Sequence, residues 1–457
     1  MTRPPTVVRP GATAAGSGAG PRQRGLAALS VVMVLFFVMA LVAAYTNRNL
    51  LFEQRISANH YRSTRALAAA DAGVDWALAM LNAGRVNINC EPSTDAGDSD
   101  FRSRYLDGGG SSQAVRDGGY EIRTWGAAPG TKLYPACVSR DGVLSCICPT
   151  TAQPTPTLAG VPADGIGSSH RITFLLPGAA VRPGTIEFAA RGCASPGSGN
   201  TACYAPTTAM PAVDALATTL STAGLLRALP VVPPATLTAG GTVTADPGAG
   251  GNLQVSNADP GSGLTVRAGA AVNAPASVFQ GPAGSGSDGV RQGDATLAAL
   301  AAAASEGWFR GVFGMDSDTY RRQPAAVRVD CTAGCSLAQI ADALDGHPRN
   351  PVWIDGNLTL DGTRTMGSAA DPLLLLVSGT LTLAADVDIT GFVHAGAVSW
   401  TSSAASLRGA LVTRGDFTAT STATLAYDRA VLDQIHLRYG SFVRVPGSWN
   451  LTPVNFN

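Results

Sequence analysis

Eight cysteines are the residues of this chain best equipped for chemistry, and their spacing bears on which kind. Cys137 with Cys146-Ile147-Cys148 is dense enough to suggest a metal cluster. Structural zinc sites, however, use paired C-x2-4-C or Cys/His spacings, and none of His60, His170, His347, His394 and His436 lies nearby in sequence. No metal is therefore expected. An even number of cysteines, all downstream of a long apolar run, reads instead as the disulfides of an exported chain. Cys193 and Cys203 bracket a Gly/Ser/Asn loop, and Cys331 and Cys335 are separated by three residues, so each pair forms a local staple. Cys90, Cys137, Cys146 and Cys148 leave three pairings open.

Catalysis has little to work with. Walker A, HExxH and GxSxG patterns are missing, and the five histidines lack ligand-like spacing. Gly284-Ser285-Gly286-Ser287-Asp288-Gly289 fits GxGxxG by letter, but no apolar strand leads into it, so it reads as a flexible loop. Asp386 and Asp388 would project from one face of a strand. Glycan-active β-solenoid enzymes use such carboxylates, yet simple alternation already accounts for these two as a solvated face. Trp308, Phe309, Phe313 and Met315, beside Arg310, combine aromatic bulk with charge. Core packing is the commoner use of such a cluster, and partner contact is the functional alternative, with Trp308, Phe309 and Phe313 as the candidate contact. A non-enzymatic protein without a cofactor is the expectation.

The elements that must position these residues follow from composition. The chain has 457 residues, 14% charged, with 53 Gly and 29 Pro, a mixture that favours turns and short strands over a helical bundle. Its 45% apolar fraction is enough to build a core. Acidic and basic residues balance at 32 each, which speaks against nucleic-acid binding. The balance conceals an asymmetry, because Arg3, Arg9, Arg22 and Arg24 all precede the first acid, Glu53. Removing those four from the 32 basic residues leaves 28 against 32 acidic, a net charge of −4.

Residues 26–46, LAALSVVMVLFFVMALVAAYT, are uncharged, and about 20 such residues cross a bilayer core as helix. Arg22 and Arg24 on one flank put the N-terminus in the cytoplasm and the bulk of the chain outside. The run is longer than the apolar centre of a cleaved secretory signal. From Leu26 to Ala72 there is neither Gly nor Pro, which allows about 70 Å of continuous helix at 1.5 Å per residue. Beyond the apolar run, Ile56, Leu67, Ala70, Val74, Leu78 and Leu81 keep three- and four-residue spacing, a stripe that must lie against a globular domain or other helices.

Basic residues, then Arg24-Gly25-Leu26, then an apolar helix is the organisation of a type IV prepilin. Residues 22–81 resemble the PilX N-terminal family of minor pilins, most specifically in Glu53-Gln54-Arg55, Ala58-Asn59 and Ala68-Ala69-Ala70-Asp71-Ala72-Gly73. The resemblance implies cleavage after Gly25 by a prepilin peptidase, methylation of Leu26, and extraction of the apolar half from lipid into a filament of like helices. Apolar helix surface is satisfied equally by either surrounding. Major pilins carry Glu at the fifth position after the cut, where its carboxylate pairs with a neighbouring subunit's terminal amine; this chain has Ser30. A first or tip subunit has no such neighbour, so Ser30 is compatible with an initiating minor pilin. Implied partners are other minor pilins, the major pilin, the inner-membrane assembly platform and the prepilin peptidase.

The expected architecture is α+β: leader 1–25, transmembrane and assembly helix 26–85, a cysteine-containing mixed region with a Pro/Thr-rich linker over 86–170, and a mainly β domain over 171–457. Helical interruptions are expected near 213–229, 296–305 and 337–344. Turn residues followed by alternation recur in Gly241-Thr242-Val243-Thr244, Gly251-Asn252-Leu253-Gln254, Gly356-Asn357-Leu358-Thr359, Gly379-Thr380-Leu381-Thr382 and Gly415-Asp416-Phe417-Thr418. Their spacing is too irregular for a tidy repeat array. From Asp371 onward, short strands continue without hairpin dipeptides, favouring a parallel β-solenoid over an antiparallel sandwich. The C-terminal stretch, with Tyr427-Asp428, Val431-Leu432 and Arg444-Val445-Pro446-Gly447-Ser448-Trp449, also resembles the ends of large PilX-type assembly proteins. The expectation is an inner-membrane, single-pass minor pilin with a periplasmic body, possible export at a pilus tip, and a role in type IV pilus biogenesis. Alternatives are the large tip pseudopilin of a type II secretion system and a membrane-anchored β-solenoid adhesin or glycan-active protein.

Overall fold

The computed structural model describes residues 24–107, 121–122, 134–150, 165–175, 184–196, 215–275, 277–282, 289–302 and 306–451. The chain divides into two compact units, Met1–Tyr61 and Arg62–Asn457. One helix, α1 (Arg24–Leu81), runs through the boundary. It runs through Gly73, where a Cβ would lie 3.1 Å from the side chains of both His170 and Ala190, so the missing side chain lets helix and sheet approach closely. In the first unit its apolar residues are bare, with Phe36 and Phe37 each 72% exposed.

The second unit begins with the rest of α1 laid on a seven-stranded antiparallel sheet. Its strand order is Gly440–Arg444, Ala215–Arg227, Thr185–Pro196, Ile166–Leu175, Ala136–Arg140, Val143–Ile147, with Asn450–Leu451 also on Ala215–Arg227. Val74, Ala77 and Leu81 form a core with Ile172, Phe188 and Phe442. Asp141 and Gly142, both with positive φ, close the Ala136–Arg140 and Val143–Ile147 hairpin, the arrangement for which Asp-Gly is suited.

Three expectations need correction here. The helix expected near 213–229 is not formed by its described residues: Ala215–Arg227 is a strand whose backbone is paired on both sides. Its small residues suit a helix by propensity, but Thr219, Ser221 and Ala223 alternate inward beneath α1, where larger side chains would hold the helix away. A boundary at 170/171 falls inside the strand Ile166–Leu175. The α1 helix ends at Leu81, before the expected 85.

The cysteines pair as Cys90–Cys148, Cys137–Cys146 and Cys331–Cys335. Cys193 is also disulfide-bonded, and Cys203 lies outside the described residues. Cys137 and Cys146 stand directly opposite in the hairpin. Cys90–Cys148 spans 58 residues and ties the segment after α1 to the sheet, a closure that contributes about 4 kcal/mol on the chain-entropy estimate.

The described residues between 235 and 426 form a second, 15-stranded sheet in which every pair is parallel. Register sorts it into three stacks. The first aligns Val327, Val352, Leu375, Val393, Leu411, Leu237, Val266 and Val290 in that spatial order. The second aligns Leu358, Leu381, Val398, Phe417, Val243 and Val272. The third aligns Met366, Ile389, Leu407, Leu425, Val255 and Phe279. All three columns contribute to one core. Chain order and spatial order differ: the rungs at 237, 266 and 290 come first in sequence, and the last rung of this stack in sequence, at 411, docks beside the first. Helices α3 (Ala295–Ala302), α4 (Gly307–Phe313) and α5 (Ser317–Arg321) lie in the connection between these two series.

The recurring Gly-x-apolar-Thr phrase now has a cause. A Cβ on Gly379 would meet Gly356 O at 2.7 Å, and one on Gly396 would meet Gly379 O at 2.8 Å, so successive rungs turn a corner with backbones too close for any side chain. The apolar residue that follows points into the core, while Thr359, Thr382, Ser399, Thr418 and Thr244 align on the outer side. Gly251-Asn252-Leu253-Gln254 belongs to the third stack instead. In the first stack both sides are covered. Trp353, Leu374, Leu376 and Phe392 point outward into a third core with α4 and α6 (Arg429–Arg438). That burial explains the unbroken run Leu373 to Val377, as expected where a parallel strand is covered on both faces.

Candidate functional site

In a chain whose most distinctive segment is a helix, the site is the surface where that helix meets the body. Gly25 and Leu26 lie in the first turns of α1. Ser30, Glu53, Gln54, Arg55 and Asn59 follow along it, all exposed. Asp71 and Gly73 are where it engages the sheet. Asp71 Oδ1 accepts from Trp449 Nε1 at 3.0 Å and from Thr219 Oγ1 at 3.2 Å. Arg444 donates to Asp75 at 2.8 Å. The Ala-Asp-Ala-Gly segment and the Arg444–Trp449 stretch, recognisable separately in the sequence, thus touch across 378 positions.

Closer packing occurs at Gly192, where a Cβ would fall 2.1 Å from Ala66 O and 2.3 Å from Ala70 N. Ala66, Ala69 and Ala70 are buried at this approach, so the alanine run is what lets helix and strand backbones meet. At the helix end, Asn82 behaves like one more strand residue. Its Nδ2 donates to Phe442 O at 2.9 Å and its Oδ1 accepts from Phe442 N at 2.8 Å. Buried Arg102, in α2 (Phe101–Tyr105), donates to the terminal carbonyl of Leu81 and to Gly440 O, and lies over the Phe442 ring. Asn350 carries the connection onward, donating to Asn82 O at 3.0 Å and Ala325 O at 2.8 Å.

Gly192, Asn82 and Arg102 escaped the sequence reading. Asn82 stands directly after the last apolar residue of the stripe, which was a usable sign of a helix end. Nothing local marks Gly192 or Arg102, because their partners come from distant segments.

The other candidate residues are not gathered into a site. Trp308, Phe309 and Phe313 are buried in the third core, where Phe309 packs against Tyr320 and Trp353. Asp386 and Asp388 accept from Ser402 Oγ and Ser406 Oγ on the exposed side of the third stack. Among the described residues no group of three or more His, Cys, Asp or Glu is placed to hold a metal ion. The Gly284–Asp288 segment lies outside the described residues.

Two histidines are instead structural. Burial pushes His170 down to about 4, and burial together with the Arg414 charge pushes His394 down to about 3. Both are neutral in the folded protein, whereas the unfolded chain takes up protons below about 6.5. Their contribution to stability is complete above that value and is lost as pH falls toward the folded pKa values. The slope is up to about 1.4 kcal/mol per pH unit for each histidine. Melting temperature is expected to drop between pH 7 and 5, and His394→Gln to flatten that profile in thermal melts.

These features define a class: a chain with a helix long and apolar enough to cross a membrane, continued as the spine of an α+β body dominated by strands. Residues 24–75 match the family described as PilX N-terminal, which supports a PilX-like minor pilin associated with the type IV pilus. The matched segment includes the exposed apolar half of α1 and also Asp71 and Gly73 at the sheet. No curated protein and no solved structure matches the chain.

Proposed function

We propose that this protein is a non-enzymatic minor pilin acting in type IV pilus biogenesis, in the complex that initiates or caps the filament. The carrying observation is that the PilX N-terminal match ends where α1 is already locked to the body. On this reading residues 1–25 are a leader removed after Gly25, and Leu26 becomes the methylated N-terminus. The body lies in the periplasm until the apolar half of α1 leaves the inner membrane. Exposed residues 28–46 suit either lipid or neighbouring pilin helices. Ser30 in place of an acid suits a subunit with no neighbour above it.

We further infer that the 15-stranded sheet is a short β-solenoid. The support is its parallel pairing, three in-register columns and a shared core.

The test is mass spectrometry of the protein from its native membrane, paired with gene deletion. Expected are an N-methylated Leu26 and loss of twitching in the deletion strain, with Gly25→Val leaving the full-length chain. An intact Met1 in the wild type would exclude prepilin processing. Intact twitching with lost enzyme secretion would move the protein to a type II secretion tip.

A further inference from the structure

Independently of the pilus reading, the outer side of the first stack carries a cavity of about 200 Å³ beside α4. Its floor is aromatic, formed by Trp308, Phe309 and Trp353, all buried, while Glu306 and Ser378 stand exposed at its rim. His394 lines it as well and is only 6% exposed. The imidazole Nε2 accepts the Trp308 indole proton at 3.1 Å, so in the neutral ring the proton sits on Nδ1. Among the described residues that N–H has no hydrogen-bond acceptor, so the ring offers a donor to the cavity it lines.

Arg414 also lines the cavity, its Nε donating to Ala301 O at 3.1 Å, and the other polar groups are held in place with capacity to spare. Ser378 Oγ accepts from Gly356 N at 2.8 Å and keeps its own proton to donate. Glu306 takes Ser317 N on one carboxylate oxygen and Ser317 Oγ on the other, each at 3.0 Å, which fixes the group and leaves further lone pairs. Fixed donors and an acceptor around an aromatic floor select a ligand that both donates and accepts hydrogen bonds and has an apolar C–H face. A fatty chain would desolvate Glu306 and Arg414 without compensation, and because these two lining groups carry opposite charges, an ion of either sign would meet one like charge. The volume suits one ring.

We propose that this cavity binds a single neutral pyranose, such as the terminal unit of a surface glycan. The test uses the full chain in a detergent without a sugar headgroup, with saturation-transfer NMR against glucose, galactose, mannose and N-acetylglucosamine, and glucuronate as the anionic comparison. One neutral sugar is expected to bind with a Kd of about 1–10 mM and to quench indole fluorescence. Glu306→Ala and Ser378→Ala should each weaken it about tenfold or more while the protein still melts cooperatively as a folded chain, since both side chains are exposed. The proposal is overturned by no transfer to any neutral sugar at about 100 mM. Glucuronate binding as tightly as the best neutral sugar, or wild-type affinity in Glu306→Ala, overturns it too. None of these outcomes bears on cleavage at Gly25.

Discussion

Gly192→Val yields a chain whose body fails to reach its native fold. The added Cβ would sit 2.1 Å from Ala66 O and 2.3 Å from Ala70 N, and both obstacles are helix backbone with no rotamer to escape into. Relief requires α1 to lift from the sheet, which opens the core that Val74, Ala77 and Leu81 share with Phe188. Ordinary overpacking costs about 1–3 kcal/mol, and displacing a whole helix exceeds it, at about 4 kcal/mol or more. Limited proteolysis and thermal melts of the purified protein check this. Gly311→Ala is the matched control. It lies within α4, where a Cβ meets only Leu300 at 3.8 Å, and removing a helical glycine is expected to leave stability unchanged or raise it by about 0.5–1 kcal/mol.

The second large effect is at the end of α1. Asn82→Ala strips Phe442 of both backbone partners in a buried setting, and Arg102→Ala leaves the carbonyls of Leu81 and Gly440 without their donor. Each is expected to cost roughly 2–4 kcal/mol, because the groups left behind are desolvated and unpaired. The two side chains also touch, Arg102 donating to Asn82 Oδ1 at 3.3 Å, so the double variant should lose less than the sum. Denaturant melts of the three variants give the coupling. Hydrogen exchange gives the location: the Phe442 amide should lose protection in Asn82→Ala.

Both predictions concern residues whose importance is created by distant segments, which is where reading the sequence fell short. The apolar half of α1 was legible because 21 uncharged residues have few alternatives to a helix in lipid. The Gly-x-apolar-Thr phrase was legible as strands, since turn residue and alternation are local. Its irregular spacing hid the common register, for the intervening corners vary in length while the rungs do not. Residues 213–229 were misread because Ala and Leu favour helix in isolation, whereas pairing on both edges of Ala215–Arg227 satisfies the backbone better. The aromatic group at Trp308 was visible, but composition could not say that His394 would come to lie beneath it, 86 residues away.

By itself the sequence determined the membrane-length helix, the strand-rich body, the even cysteine set and the PilX-like stretch, all properties carried by neighbouring residues. Only the tertiary structure decided that Asp71 meets Trp449, that Gly192 sets how closely α1 approaches the sheet, that Cys90 pairs with Cys148, and that the last rung docks on the first. Each of those depends on loop closures across tens to hundreds of residues. Their outcome is fixed by which surfaces bury together with their polar groups paired, and no local pattern encodes that choice.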